Sequence, residues 1–390
     1  MLDSFVVNGE VLDSLDLKVL LVGTGICVDD EVCETFASTH RVPGNVRNQG
    51  RRWGTMLLPD RTVVGISDVG PASPFRLKIG SNGKPCLAHG EEFAVEVTFP
   101  PATALFEQKT SCGVPFFDIA AMQGWDTLIF PYLWHCEFAK ARMACKFCHC
   151  GNFTQQAVID GTLEDFMVPP QDVAEVVHYA VNVEKSFRHL QITGGSTFRA
   201  TDEIDRYTAV LRAIDDVAGR ANIPGEVLVY VTPPSDPREI DKLFAAGAGR
   251  VLCDIEFWDE ECLREMSPGK AKWTGRQRSL DTLLHIAETF GPNRACSEFV
   301  IGFEPVESIL AGAEFLARHG VVPIPTTWSR HGTPDPGKSV TPGLEYFRKL
   351  RKGMAAIYQK YPVEPFGDLG FNVNISRDIW NHREEILRAA

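Results

Sequence analysis

The sequence predicts an α/β protein: a (β/α) barrel, in partial (β/α)6 form, with a β-rich accessory segment in front of it. Three observations carry this. After residue 120, apolar strand-like runs alternate with stretches of helical spacing, the pattern of a parallel sheet with crossover helices. Polar residues recur at the C-terminal ends of those runs, which favours a barrel over a doubly wound sheet. Before residue 120, short β-rich runs alternate with turn residues instead.

In the first segment, Lys18-Val-Leu-Leu-Val22, Thr55-Met-Leu-Leu-Pro-Asp-Arg-Thr-Val-Val64 and Phe93-Ala-Val-Glu-Val-Thr-Phe99 read as β-rich runs. Pro59-Asp-Arg61 and Ser81-Asn-Gly83 read as turns. Gly23-Thr-Gly25 lacks the third glycine of a nucleotide-binding loop and reads as a plain turn. In the second segment the expected strands are 127–135, 189–194, 226–232, 250–257, 295–302 and 321–327. Helices are expected from Pro170, Thr201, Pro237, Gly275 and Val306, several of them opening on a residue suited to a first turn. A last helix, Pro342 to Tyr358, precedes a tail in which Gly370-Phe-Asn-Val-Asn374 reads as an added strand. The expected division is 1–120 accessory or partner domain, 121–335 barrel core, and 336–390 C-terminal helix and tail.

Composition narrows the function. The chain has 390 residues, 44% hydrophobic and 23% charged, as ordinary globular proteins do. A net charge of −12 argues against a nucleic-acid partner, which calls for a basic stripe. No apolar run approaches the roughly 18 residues that span a bilayer, so no membrane partner is expected. The N-terminus does not read as a secretion signal, and eleven cysteines then suggest reduced thiols in the cytoplasm. Seven of them (Cys27, Cys33, Cys86, Cys112, Cys253, Cys262 and Cys296) are scattered and read singly as small buried hydrophobes.

The other four lie within fifteen residues: Cys136, Cys145, Cys148 and Cys150, directly after the apolar run Thr127–Trp134. Thiolates on one loop select soft metals. Three can hold three irons of a cubane cluster and leave the fourth iron open to a small ligand. The pair Cys145-Lys-Phe-Cys148 with Cys136 upstream suits that arrangement. Cys150 is either a ligand in place of Cys136 or a catalytic thiol beside the cluster. The alternative is zinc on Cys136, Cys145, Cys148 and either His149 or Cys150, structural or as the centre of a barrel hydrolase. A non-catalytic iron–sulfur carrier or scaffold is a third possibility.

With Phe147 before the last cysteine of this set, the loop resembles that of the radical S-adenosylmethionine (SAM) superfamily. Gln191-Ile-Thr-Gly-Gly-Ser196 looks like that superfamily's Gly-Gly-Glu segment. The resemblance gives Thr193, Gly194, Gly195 and Ser196 to the methionine end of SAM. Cys253 to Lys270 is similar to the fourth-strand region of the branch containing biotin synthase and the hydrogenase-maturation enzymes, where Glu256 would contact ribose. Glu298-Phe-Val-Ile-Gly-Phe-Glu304 resembles the fifth-strand segment near adenine, which brings in Ile301. Arg276 or Arg278, and less strongly Lys270, would pair with the SAM carboxylate. The likeness spans roughly 125–330 and departs from the pattern in three places. The spacing is C-x8-C-x2-C rather than C-x3-C-x2-C, Ser196 stands at the acidic position, and Glu298 stands where the first glycine falls.

The resemblance implies an enzyme that cleaves SAM reductively at a 4Fe–4S cluster held by Cys136, Cys145 and Cys148. The resulting 5′-deoxyadenosyl radical would abstract hydrogen from a small-molecule substrate. The electron would come from a donor such as flavodoxin or ferredoxin. Thr326-Thr-Trp328-Ser-Arg330-His331, at the barrel mouth, is the expected substrate contact. Strand alternation puts Asp254 and Glu256 on one face and Cys253 on the other. It also puts Cys296 with Glu298, which makes Cys296, beside Cys150, a candidate interior thiol for radical transfer or an auxiliary cluster, against the commoner packed cysteine.

Overall fold

A computed structural model describes residues 1–36, 54–133, 135–163, 167–329 and 343–389, with every side chain there except those of Tyr132, Leu133 and His149. Six parallel strands run in sequence order: β1 (Thr127–Leu133), β2 (His189–Gly194), β3 (Val227–Tyr230), β4 (Arg250–Leu252), β5 (Ala295–Ile301) and β6 (Val322–Thr327). Ala121–Gln123 adds a seventh strand, antiparallel to β1. The sheet curls into a half-barrel, the partial (β/α) barrel expected. Parallel neighbours need crossover connections, and helices supply them.

The helices are α1 (His149–Asp160), α2 (Pro170–His178), α3 (Ala200–Ala218), α4 (Glu260–Met266), α5 (Pro268–Trp273), α6 (Gly275–Phe290), α7 (Val306–Arg318), α8 (Leu344–Lys360) and α9 (Ser376–Arg388). Of these, α2, α3, α6, α7 and α8 lie close to where spacing puts them, and α1, α4, α5 and α9 add to the expected set. Pro170 occupies the first turn of α2, where a missing N–H costs nothing. Asp259 caps α4 by accepting the Cys262 N–H at 2.7 Å. The segment from Pro237 is a short 3-10 turn running into Asp241–Ala245. One buried apolar cluster fills the space between the sheet and these helices, with Phe130, Ile192, Val229, Val251 and Phe299 on the strands.

Three expectations change. Lys18–Val22 is not a strand but part of a helix, Ser14–Thr24, capped by Asp13. That helix is buried nearly all round, from Ser14 to Val19 and from Leu21 to Gly23. A helix without a wet face has no 3.6-residue stripe, so it reads as a continuous apolar run. Gly23-Thr-Gly25 is accordingly a helix end, with Gly25 at φ 79°. The strand expected over 250–257 stops at Leu252, and Glu256 rejoins β5 by a single bridge to Phe299. The strand expected at Gly370–Asn374 is reduced to a single bridge from Asn374 to Thr326, and α9 follows it.

The first segment does hold hairpins: Thr55–Leu57 with Val63–Gly65, and Phe75–Ile79 with Pro85–His89. Their side chains build a second apolar cluster around Leu17, Leu21, Met56, Val64, Phe75 and Leu77. The tail joins this segment to the barrel. Thr327 donates its N–H to the Val373 carbonyl at 3.0 Å, and Gly65 donates to the Asn372 carbonyl at 2.9 Å. Beside them, Lys18 is fully buried and donates to Asp378 Oδ2 and to the Phe371 carbonyl, both at 2.7 Å. Buried charges are tolerated when paired and hydrogen-bonded in this way. Among the described residues, no helix is long and apolar enough to cross a membrane.

Candidate active site

The C-terminal ends of all six strands open into one cavity of about 390 Å³. It is lined by Cys136, Cys145, Cys148 and Cys150 on one side and by Tyr230, Asp254, Glu256 and Glu298 on another. This is where strand ends and loops meet in a barrel, and where its chemistry is sited.

The cysteine loop is built around donors. Cys136 precedes the helical turn Glu137–Lys140, and its sulfur faces the backbone N–H groups of Ala139, Ser196 and Phe138. Cys148 caps α1, accepting the Gly151 N–H at 3.3 Å. The Ser267 hydroxyl lies against Cys145. Burial pushes all three thiols up, Cys148 to about 12, and the donors act in the opposite sense. Such sulfurs need a nearby cation to ionise, and a bound metal supplies one. Among the described residues no three of the thiols lie within 4.8 Å of one another. A closed tetrahedral zinc site would hold its thiolates about 3.8 Å apart, from Zn–S bonds of about 2.3 Å. The thiols therefore do not stand at the separations of a closed zinc site. The His149 side chain, the other zinc ligand considered, is outside the described residues.

The Gly-Gly segment is pressed onto this loop. A Cβ on Gly195 would fall 2.3 Å from the Cys136 backbone N and 2.6 Å from the His135 carbonyl carbon, so only glycine fits. Glu137 ties the two together: its N–H donates to the Ser196 carbonyl at 2.8 Å, and its carboxylate accepts the Phe198 N–H at 2.5 Å. Thr193, Gly194, Gly195 and Ser196 all line the cavity. So does Phe147, which packs edge-on against Phe257 at 5.6 Å.

Across the cavity, Glu256 has φ 66°, a left-handed conformation costly for a side-chain-bearing residue. The β5 backbone holds it there. Glu256 donates its N–H to the Glu298 carbonyl and accepts the Val300 N–H, both at 3.0 Å. Its carboxylate pairs with Lys270 Nζ at 2.5 Å, while Asp254 stands 3.6 Å from the same ammonium. Burial and Asp254 raise Glu256 to about 7 against the pull of Lys270. Burial, with Asp254 and Glu256 nearby, drives Glu298 well above the carboxylate range. A protonated Glu298 accepts the Tyr230 hydroxyl at 2.9 Å on one oxygen and keeps a donor on its carboxyl.

Several expected site residues stand elsewhere. Ile301 is buried in the core, and Val300, one position back, lines the cavity instead. Arg276 is engaged outside the cavity, donating to the Trp258 carbonyl and pairing with Glu260 at 2.8 Å. Cys296 is fully buried beside Arg250 and does not line the cavity; Cys253 lies in the core. Thr326, Thr327 and Trp328 do line it, and their Oγ1, Oγ1 and Nε1 atoms are buried without hydrogen-bond partners. Arg330 and His331 are outside the described residues. Sequence reasoning missed Tyr230 and Glu203. Glu203, in the first turn of α3, is buried and accepts the Thr232 N–H at 2.8 Å and the Thr197 hydroxyl at 3.1 Å. Its only signal in the sequence was an acidic residue in a helix first turn.

Residues 139–319 match the Radical SAM superfamily. A curated relative, bacteriochlorophyllide c C-7(1)-hydroxylase of Chlorobaculum limnaeum, is 26% identical over 149 residues, 36% of this chain and 37% of its own length. Among solved structures, the FeFe-hydrogenase maturase HydG aligns at 16% identity with a TM-score of 0.43, over 59% of this chain and 48% of HydG. Methylornithine synthase (PylB) aligns at 14% identity with a TM-score of 0.45, over 60% of this chain and 63% of PylB. The chain thus spans about a third of the curated relative and about half to two thirds of these structures. Barrel, thiol loop and family match agree: this chain carries a radical SAM superfamily domain, which entails a 4Fe–4S cluster and SAM.

Proposed function

We propose that this enzyme holds its cluster on Cys136, Cys145 and Cys148 and uses it to act on a small-molecule substrate in the same cavity. The observation that carries the assignment of ligands is that each of these three sulfurs faces a hydrogen-bond donor from a different part of the fold. When bound, the cluster supplies the electron that cleaves SAM to methionine and a 5′-deoxyadenosyl radical able to take hydrogen from carbon.

The chain's own residues do the rest. Thr193 to Ser196 offer backbone groups to the methionine end of SAM, within reach because Gly195 lets that strand end touch the cysteine loop. Glu256 reaches into the cavity from its braced, left-handed position. Tyr230 and Glu298 form its polar floor, and the unpartnered Thr326, Thr327 and Trp328 groups await hydrogen bonds from a ligand. Cys150 also faces the cavity and is kept as a thiol able to act on substrate. The curated relative is named as a hydroxylase; activation of a C–H bond is the part of that activity this site would share.

The test is anaerobic reconstitution, iron and sulfide analysis, then 5′-deoxyadenosine release from SAM under dithionite. About four irons per chain with 5′-deoxyadenosine formed supports the reading. Zinc with no chromophore, or iron without SAM cleavage, overturns it.

A further inference from the structure

The turn from α4 into α5 is shaped around the cysteine loop at Met266, Ser267, Gly269 and Lys270. The Met266 carbonyl accepts the Lys146 N–H at 2.8 Å. A Cβ on Gly269 would lie 2.6 Å from the Met143 carbonyl oxygen and 2.6 Å from Phe138 Cβ, so glycine allows the close approach. Ser267 is fully buried, its hydroxyl has no hydrogen-bond partner, and Cys145 is its neighbour. An orphaned buried hydroxyl costs stability unless an acceptor arrives, and a metal-bound thiolate is such an acceptor. Lys270, held by Glu256 and Asp254, lines the same cavity as Cys136 and Cys145.

We infer that Ser267 and Lys270 are positioning residues that raise the reduction potential of the cluster, one as a donor to the Cys145 sulfur and the other as a fixed positive charge. This rests on the cluster assignment above. The step is a one-electron reduction: the cluster gains one negative charge from a one-electron reductant such as dithionite, and no proton moves. Hydrogen bonds to sulfur and nearby cations both favour the more negative state, so both make reduction easier. The design suits a buried cavity whose lining also includes Asp254 and Glu256, since negative charge there opposes the electron.

The experiment is a potentiometric titration of the reconstituted protein, without SAM, followed by electron paramagnetic resonance. Lys270→Met should lower the reduced-to-oxidised ratio at a fixed poise about tenfold, a shift of about 59 mV for a one-electron couple. Ser267→Ala should move it in the same direction by less, and Lys270→Arg should restore most of the Lys270 effect. Potentials unchanged in both Lys270→Met and Ser267→Ala, with iron content intact, overturn the inference, as does a shift to higher potential. Should Lys270→Met lose its iron, Ser267→Ala alone decides, since it removes a single oxygen. Wild-type protein that builds no cubane cluster overturns the assignment beneath it as well.

Discussion

The barrel carries a thiol beside a cation at each end, and the two ends treat the pair in opposite ways. At one end Cys296 lies against Arg250, whose guanidinium is bound to Glu226 at 3.0 and 2.8 Å and to the Glu364 carbonyl at 2.6 Å. Burial lifts Cys296 to about 11, with Arg250 opposing. At the other end Cys145 has Lys270 and Ser267 near it, but the arrangement opens on a cavity and leaves donors unspent. A thiol and a cation thus make a plug where the Arg250 guanidinium is fully engaged, and a binding site where neighbouring donors are not. Unsatisfied buried groups, more than residue types, distinguish the two.

Mutation can break that comparison. The largest expected effect is from Cys145→Ala, which should abolish iron incorporation and 5′-deoxyadenosine formation. Cys296→Ala should leave both intact. Measuring iron and product for the pair checks the contrast, and iron loss in Cys296→Ala would erase it. Next, Gly195→Ala should destabilise the apoprotein by about 2–3 kcal/mol through overpacking against Cys136, read from urea unfolding, and should cut cluster loading with it.

A pH experiment sharpens the cavity side. Burial raises Glu203 from 4.5 to about 7, despite bonds from Thr232 and Thr197. The folded state therefore binds more protons than the unfolded state between about pH 4.5 and 7, and stability falls as pH rises through that window. The loss is on the order of 3 kcal/mol once pH exceeds the folded value. In Glu203→Gln the gap in unfolding free energy between pH 5 and pH 8 should shrink by a comparable amount; an unchanged gap would show Glu203 ionised throughout. The smallest effect is at the plug: Cys296→Ala should cost about 1–2 kcal/mol of unfolding free energy.

Much of this was legible beforehand, for physical reasons that also mark the limits. The six barrel strands are apolar runs bounded by turns, and tertiary contacts only trimmed their ends. The thiol loop was visible because ligands close in sequence must be close in space. What failed depended on three dimensions. The family resemblance points to Ile301, whereas Val300 lines the cavity, and strand alternation puts these neighbours on opposite faces. Arg276 was expected to be free for a carboxylate, but Trp258 and Glu260 occupy it. Tyr230 and Glu298 come together from positions 68 residues apart, which no local pattern announces. The N-terminal helix was hidden by being buried on every side, and α9 by carrying few apolar residues.

The tail between α8 and α9 has a consequence for how the chain is made. Thr55 finds its partner, the Asn372 side chain at 2.6 Å, across 317 residues of sequence, and Lys18 meets Asp378 across 360. During synthesis the first hairpins and the Ser14–Thr24 helix must wait for nearly the whole barrel to emerge before that edge can be sealed. Contacts so distant slow folding, and the buried Lys18 has no counter-ion until the last of them forms. A ribosome paused before residue 370 would therefore hold a chain whose active-site loop is complete while its seam is still open.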